Sequence, residues 1–286
     1  MEDLKIIECP RDAMQGIKEF IPTTTKIAYI NELLKVGFDT IDFGSFVSPK
    51  AIPQMKDTAS VLDKLDLSKT NSKLLAIVAN ERGAQDASAF EEIDYLGYPF
   101  SVSETFQQRN TNTSIEGSLT RLESIQDIAV KSNKKLVVYL SMGFGNPYGD
   151  VWNTETVLKW ASRLNEDMGI EILALSDTIG VSTPGIITSI LNGITPELPN
   201  AEIGVHLHTT PDTYHQKLKA AYDAGCRRFD GAIRGFGGCP MAKDELVGNM
   251  PTEKMVEYFS NRNIRTNLDL GALERAVQQS NYVFKH

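Results

Sequence analysis

Two histidines one residue apart, His206-Leu207-His208, are the sharpest chemical signal in the chain. On a strand, residues i and i+2 project to one face, so both imidazoles would point together. Two imidazoles with a carboxylate or amide oxygen make a divalent-metal site with open positions. The competing reading is a histidine that packs or bonds to backbone. Two of the chain's four histidines side by side at a strand end favour the metal. Asp12 can supply the carboxylate from the neighbouring first strand, and Asn249 a further oxygen from the region after the eighth. Arg11, behind the turn-restricting Pro10, reads equally as a fixed catalytic cation or as half of an ion pair across the barrel end. Asp42 and Asp177 read either as site carboxylates or as strand-end and helix caps, Asp177 before Thr178 being especially cap-like. Cys239 follows Gly231, Gly235, Gly237 and Gly238, a setting that makes a mobile loop with an accessible thiol. Cys226, in the helix-ending Asp-Ala-Gly-Cys, and Cys9, in a strand, read as packed core.

The elements that would position these residues alternate regularly. Strands are expected at 4–9, 39–43, 73–79, 97–103, 135–141, 171–177, 202–208 and 228–233. Between them lie helical periods over 23–37, with apolar Ile27, Ile30, Leu33 and Leu34 before Gly37, and over 114–133 behind a Ser114 cap. Two more run over 153–169, capped by Asn or Thr and closed by Gly169, and from Thr183-Pro184 to Ile194. Eight such units in one undivided chain predict a single (β/α)8 TIM barrel, α/β in class, over about 4–262, with an extra C-terminal helix at about 267–283 and one domain for 1–286. A dinucleotide fold is disfavoured, because Cys-Pro-Arg-Asp-Ala-Met-Gln stands where Gly-x-Gly-x-x-Gly would follow the first strand. In a barrel, working residues gather at the C-terminal strand ends, and Arg11, Asp12, Asp42, Asp177, His206, His208 and Cys239 collect there.

Composition bounds the partners. With 29 Lys+Arg against 37 Asp+Glu the net charge is −8, so no basic field meets a nucleic-acid backbone. A local cationic pocket could still bind an anionic small molecule. No apolar run approaches the roughly 18 residues of a membrane span. An odd count of three cysteines without CxxC spacing points to a reducing compartment, and the start lacks a basic leader, so a cytoplasmic protein is expected.

Taken together, these stretches resemble the 3-hydroxy-3-methylglutaryl-CoA lyases of the DRE-type, metal-dependent TIM-barrel superfamily. The matching segments are Pro10–Gln15, Ser45–Met55, Ser176–Gly185, His206–His208, Gly235–Ala242 and Gly248–Glu253, in the family's order. The Ser-Phe-Val-Ser-Pro-Lys and Gly-Gly-Cys-Pro pieces are specific to the lyase branch. The resemblance implies Mg2+ or Mn2+ held by Asp12, His206, His208 and Asn249, with Arg11, Asp42 and Cys239 in catalysis. Arg11 would neutralise an enolate and Cys239 would act as an acid/base thiol. Asp42 stands where the family usually has Glu. Gln15, Ser45 and Asp177 match positions near substrate and metal. The implied reaction is metal-assisted cleavage of 3-hydroxy-3-methylglutaryl-CoA, a small-molecule acyl-CoA, to acetoacetate and acetyl-CoA, as in leucine degradation, by a homodimer.

The chain departs from the family's wording at Thr209–Asp212, at Asn146–Asp150 and at Arg234. Related barrel aldolases and citramalate- or isopropylmalate-type synthases are the alternative. Those synthases generally carry a further C-terminal region and a Gly-Glu-Arg motif in place of Gly-Gly-Cys-Pro. A scaffold without activity would be expected to have lost Arg11 or the metal ligands.

Overall fold

The structure, a computed structural model, describes residues 4–238 and 247–284. Eight parallel strands close into a barrel in chain order: β1 (Lys5–Glu8), β2 (Thr40–Ser45), β3 (Lys73–Ile77), β4 (Tyr95–Ser101), β5 (Lys135–Ser141), β6 (Ile172–Ser176), β7 (Glu202–His206) and, after the short β8 (His208–Thr209), β9 (Arg228–Gly231). Strand β9 pairs back onto β1. Strand β8 leaves the barrel and pairs antiparallel with β10 (Gly248–Asn249). The expected strands all form, their ends moved by a residue or two. The fold is a TIM barrel.

The helices are α1 (Pro10–Gln15), α2 (Thr23–Leu33), α3 (Thr58–Leu62), α4 (Glu81–Ser88), α5 (Glu104–Thr111), α6 (Ile115–Lys131), α7 (Thr154–Ser162), α8 (Pro184–Ile194), α9 (Tyr214–Asp223), α10 (Thr252–Ser260) and α11 (Leu270–Val283). Their starts follow the capping chemistry written in the sequence. Ser114, Asn153, Thr183 and Asp269 each accept a backbone N–H from the first turn of α6, α7, α8 and α11. The long helix expected over 153–169 is shorter than its period. Helix α7 stops at Ser162, and a wider π turn over Arg163–Asp167 carries the chain to Gly169 at φ +68°.

Alternation sorts each strand between two apolar layers. Leu75, Ile77, Val137, Tyr139, Ile172 and Ala174 form a cluster made of strand residues, the barrel interior. Their neighbours Leu74, Ala76, Leu136, Val138, Leu173 and Leu175 pack outward among helix residues such as Leu122, Ile187 and Leu191. Each such fully buried side chain contributes roughly 1.5–3 kcal/mol. Helix α11 lies against α2, and its end reaches the glycine segment, where the Phe284 and Phe236 rings stack at 4.2 Å.

One carboxyl ties the first strand to the last. Glu8 of β1 is fully buried and accepts hydrogen bonds from the Ile233 N–H at 2.9 Å and from the Thr252 hydroxyl at 2.6 Å. It thereby holds both ends of the segment that carries the glycines and Asn249. Burial pushes its pKa from 4.5 to about 8, against the lowering by these two bonds. Because the folded state holds this proton more tightly than the unfolded chain, Glu8's contribution is complete below about pH 4.5 and is lost as pH rises through about 8. Urea midpoints measured from pH 6 to 9 should fall for the native chain and be flatter for Glu8→Gln. Identical slopes would remove Glu8 as the source.

Candidate active site

The site begins one turn later than the sequence places it. Strand β1 ends at Glu8, and Pro10 starts α1, so Arg11 and Asp12 lie in the first turn of a helix instead of at a strand end. Proline has no N–H to donate and a fixed φ, which suits the first helical position. Cys9 likewise falls between β1 and α1, and it is fully buried. The two histidines do not share a strand. His206 ends β7, while His208 begins β8, because the chain leaves the barrel to pair with Gly248–Asn249. Their rings still meet, with centroids 5.3 Å apart. In the β8–β10 ladder His208 is the direct partner of Asn249.

Asp12 is the junction. One carboxylate oxygen accepts from Arg11 Nη1 at 3.0 Å and from Gln15 Nε2 at 2.8 Å; the other accepts from Asn249 Nδ2 at 2.8 Å. The helical spacing of Arg11 and Gln15 lets Arg11 Nη1 also reach Gln15 Oε1 at 2.9 Å. The remaining guanidinium edge forks onto Asp42, with Nε 3.1 Å and 3.2 Å from its two oxygens and Nη2 bonded to Oδ2. Asp42, with no exposed surface, is therefore the partner of Arg11 and caps no helix. Burial opposes the charge of Arg11, but Asp42 and Asp12 outweigh it and raise its pKa. Burial also works against the Asp12 anion, and there Arg11, His206 and His208 prevail, lowering it to about 2. Burial lifts Asp42 to about 6 despite Arg11, so it is ionised at neutral pH.

The imidazoles are fixed by their far nitrogens. His208 Nδ1 lies 3.0 Å from the Thr178 carbonyl oxygen, which can only accept, so Nδ1 carries the proton and Nε2 carries the lone pair. Burial, and then His206, lower the His208 pKa to about 4, which keeps the ring neutral at pH 7. For His206, burial favours the neutral ring, but Asp230 reverses the balance and raises its pKa.

These residues fit a divalent cation. His208 Nε2 and Asn249 Oδ1 are both buried with no protein partner. The Asn249 amide is oriented by its own donations to Asp12 and to the Phe236 carbonyl, each at 2.8 Å, which leaves its oxygen bare. Ligand atoms of Asp12, His206 and His208 lie within 4.8 Å of one another. A bare imidazole nitrogen and a bare amide oxygen are bases with no donor to meet, beside a carboxylate that stays ionised, the condition a cation relieves. Gly237 permits the close packing around them. A Cβ there would stand 2.8 Å from Asn249 Nδ2 and 2.7 Å from the Ala13 Cα, and its φ is +87°.

A cavity of about 370 Å3 opens over the cluster. Arg11, Asp12, Gln15, His206 and His208 line its polar side, while Val47, Ile52, Ile77 and Phe106 are among its apolar walls. Ser45 and Asp177 stand behind this surface. The Ser45 hydroxyl donates to the Ile77 carbonyl and accepts from Val47 N–H. Asp177 caps no helix, since that role at α8 belongs to Thr183. It accepts from Ser182 and, at 2.8 Å, from the buried Lys217. Cys239 lies outside the described residues. The sequence reading missed three groups here: Tyr139 in the cavity wall, Lys217 and Asp230. An acid inside the strand Arg-Phe-Asp-Gly and a tyrosine among the aliphatics of β5 were the available signals.

A model of the HMGL-like family matches residues 4–279. The chain belongs to the HMGL-like family. Within it, the rat protein named 3-hydroxy-3-methylglutaryl-CoA lyase, cytoplasmic, is 35% identical over 275 residues, covering 94% of this chain and 78% of the relative. The HMG-CoA lyase structure from Brucella melitensis superposes with a TM-score of 0.92 at 30% identity, covering 100% of both chains. An HMG-CoA lyase structure from Acinetobacter baumannii, in complex with coenzyme A and 3-methylmalate, gives 0.91 at 29% identity over 99% of this chain and 92% of the other. As a member of this family the chain is a carbon–carbon lyase, and its family is metal-dependent.

Lys217 tests how the second histidine is held. From α9 its ammonium reaches Asp177, the Gly180 carbonyl and the His208 carbonyl, so it joins the loop after β6 to β8. Lys217→Met strands a buried Asp177 charge and should cost about 3–5 kcal/mol in chemical denaturation. A loss below about 1 kcal/mol would contradict this.

Proposed function

We propose that this chain cleaves 3-hydroxy-3-methylglutaryl-CoA to acetoacetate and acetyl-CoA, with Mg2+ or Mn2+ held by Asp12, His206, His208 and Asn249. The observation that carries the reading is a fixed guanidinium, Arg11, lining the same cavity as His208, whose Nε2 is buried and bare and whose ladder partner Asn249 has a bare Oδ1. When bound, the cation supplies Lewis acidity toward the substrate's hydroxyl and carboxylate oxygens.

The chain's own residues do the rest. Cleavage removes the hydroxyl proton, breaks the carbon–carbon bond and leaves its electron pair as the enolate of acetyl-CoA. Arg11 offers a fixed charge and the N–H that its protein bonds leave open, on Nη2, where the thioester oxygen becomes negative, and it needs no reorganisation because Asp42, Asp12 and Gln15 already hold its other N–H groups. Gln15 shares Arg11 Nη1 with Asp12. Cys239, carried on the glycine segment, delivers a proton to the enolate carbon, as the family resemblance implies. The apolar walls at Val47, Ile52 and Phe106 suit the non-ionic part of the acyl chain. The Acinetobacter relative's complex with coenzyme A supports an acyl-CoA as substrate. Among the described residues no helix is long and apolar enough to cross a membrane. A cytoplasmic homodimer whose barrel and terminal helix make one domain, acting on this small molecule without nucleic acid or membrane, completes the reading; the rat relative is itself named for the cytoplasm.

Purified, metal-loaded protein should release acetoacetate from 3-hydroxy-3-methylglutaryl-CoA in a coupled assay. Arg11→Met should lower kcat by about 100- to 1000-fold, the loss typical of removing one such donor. Cys239→Ala should keep metal affinity and lose most turnover. Absence of acetoacetate from the native holoenzyme would reject the substrate, and full turnover by Cys239→Ala would remove the thiol from the reaction.

A further inference from the structure

The two histidines are supported unequally. His208 gives its Nδ1 proton to a neutral backbone carbonyl, whereas His206 Nδ1 stands 3.2 Å from Oδ2 of Asp230. Asp230 lies on β9 in direct register with His206 of β7 on one side and with Ile7 of β1 on the other. Closure of the barrel therefore fixes where this carboxylate stands. Its side chain is 1% exposed, and its second oxygen, Oδ1, is buried without a protein partner. Cys9 Sγ also stands nearby, since ligand atoms of Cys9, His206 and Asp230 lie within 4.8 Å of one another. A thiol is a weak acceptor, and a carboxylate takes the imidazole proton in preference. Arg228, two residues back on the same strand face, offsets the buried anion while its Nη1 bonds Glu202 at 3.0 Å at the far end of the barrel.

We propose that Asp230 is a positioning residue for the metal site: it accepts the Nδ1 proton of His206 and so turns the Nε2 lone pair toward Asp12, His208 and Asn249. A carboxylate behind an imidazole fixes both its tautomer and its ring plane and makes the ligand more basic. His208, backed by a carbonyl, gains the tautomer without the charge. The site is thus built with one stronger and one weaker imidazole. That difference would not arise from the His-x-His motif, because it is set by the strand that pairs beside it.

The proposal rests on the metal-site reading, and the test separates the two. Mn2+ is titrated into metal-free native chain, Asp230→Asn and Asp230→Ala, with free Mn2+ read by electron paramagnetic resonance and folding checked by circular dichroism. Affinity should fall about tenfold for Asp230→Asn, whose amide oxygen still accepts but lacks charge. It should fall about a hundredfold for Asp230→Ala. In 15N spectra of the metal-free chain, recorded at alkaline pH where the His206 ring is neutral, His206 should carry its proton on Nδ1, and Asp230→Ala should mix the tautomers, a change a merely structural role would not produce. If the native chain binds no Mn2+, the metal-site reading fails and this proposal with it. If the native chain binds and either folded variant binds equally well, or the tautomer is unmoved in Asp230→Ala, Asp230 alone loses its role. Should Asp230→Ala not fold, Asp230→Asn decides.

Discussion

Everything at the barrel mouth depends on Asp12 remaining an anion while most of its side chain is out of water. An isolated carboxylate there would take up a proton, and the chain prevents this by surrounding it with donors. Arg11 and Gln15 approach from its own helix and Asn249 from the far end of the chain. The same contacts set the geometry of their donors. Arg11 is held in one plane, Gln15 stays folded back on α1, and Asn249 presents its oxygen instead of its nitrogen. A single buried charge thus organises both the cation-binding atoms and the cation meant for the developing enolate.

The arrangement has a cost that the barrel is built to carry. Removing Arg11, Asp42, Asp12, Lys217 and Asp177 from water is expensive, and each is matched by an opposite charge with closely spaced hydrogen bonds. Among the buried side-chain atoms left unmatched here are His208 Nε2 and Asn249 Oδ1, together with Asp230 Oδ1 and the Tyr139 hydroxyl. The first two are lone-pair bases beside the ionised Asp12, and they mark where a cation would be held. The apolar layers on both sides of the strands supply the rigidity that keeps them uncovered.

Much of this was legible in the sequence. The repeat of short apolar runs and amphipathic helices gave the barrel, because a half-buried strand and a one-sided helix leave distinct periods. Arg11, Asp12, Gln15, His206, His208 and Asn249 stand in motifs that mark them as site residues, and the fold brings them together. What the sequence concealed is pairing between distant segments. Nothing in His206-Leu207-His208 shows that the chain leaves β7 before the second histidine, since that depends on Gly248–Asn249 arriving to pair with it. Ser45 and Asp177 have the polarity of site residues, yet Ile77, Val47, Lys217 and Ser182 use their polar groups, so they act from behind the cavity wall. Asp230 and Lys217 were invisible for the opposite reason: each looks like a stray charge until its partner, twenty or more residues away, is in place.

In the proposed site Asp12, His206, His208 and Asn249 together would hold one divalent cation in the cavity that Arg11 lines. Crystals of the full chain grown with Mn2+ and measured at the manganese absorption edge test it directly. The predicted result is one strong anomalous peak within about 2.0–2.3 Å of a carboxylate oxygen of Asp12, Nε2 of both histidines and Oδ1 of Asn249. A peak bound elsewhere, or one that leaves His208 Nε2 and Asn249 Oδ1 bare, would contradict it.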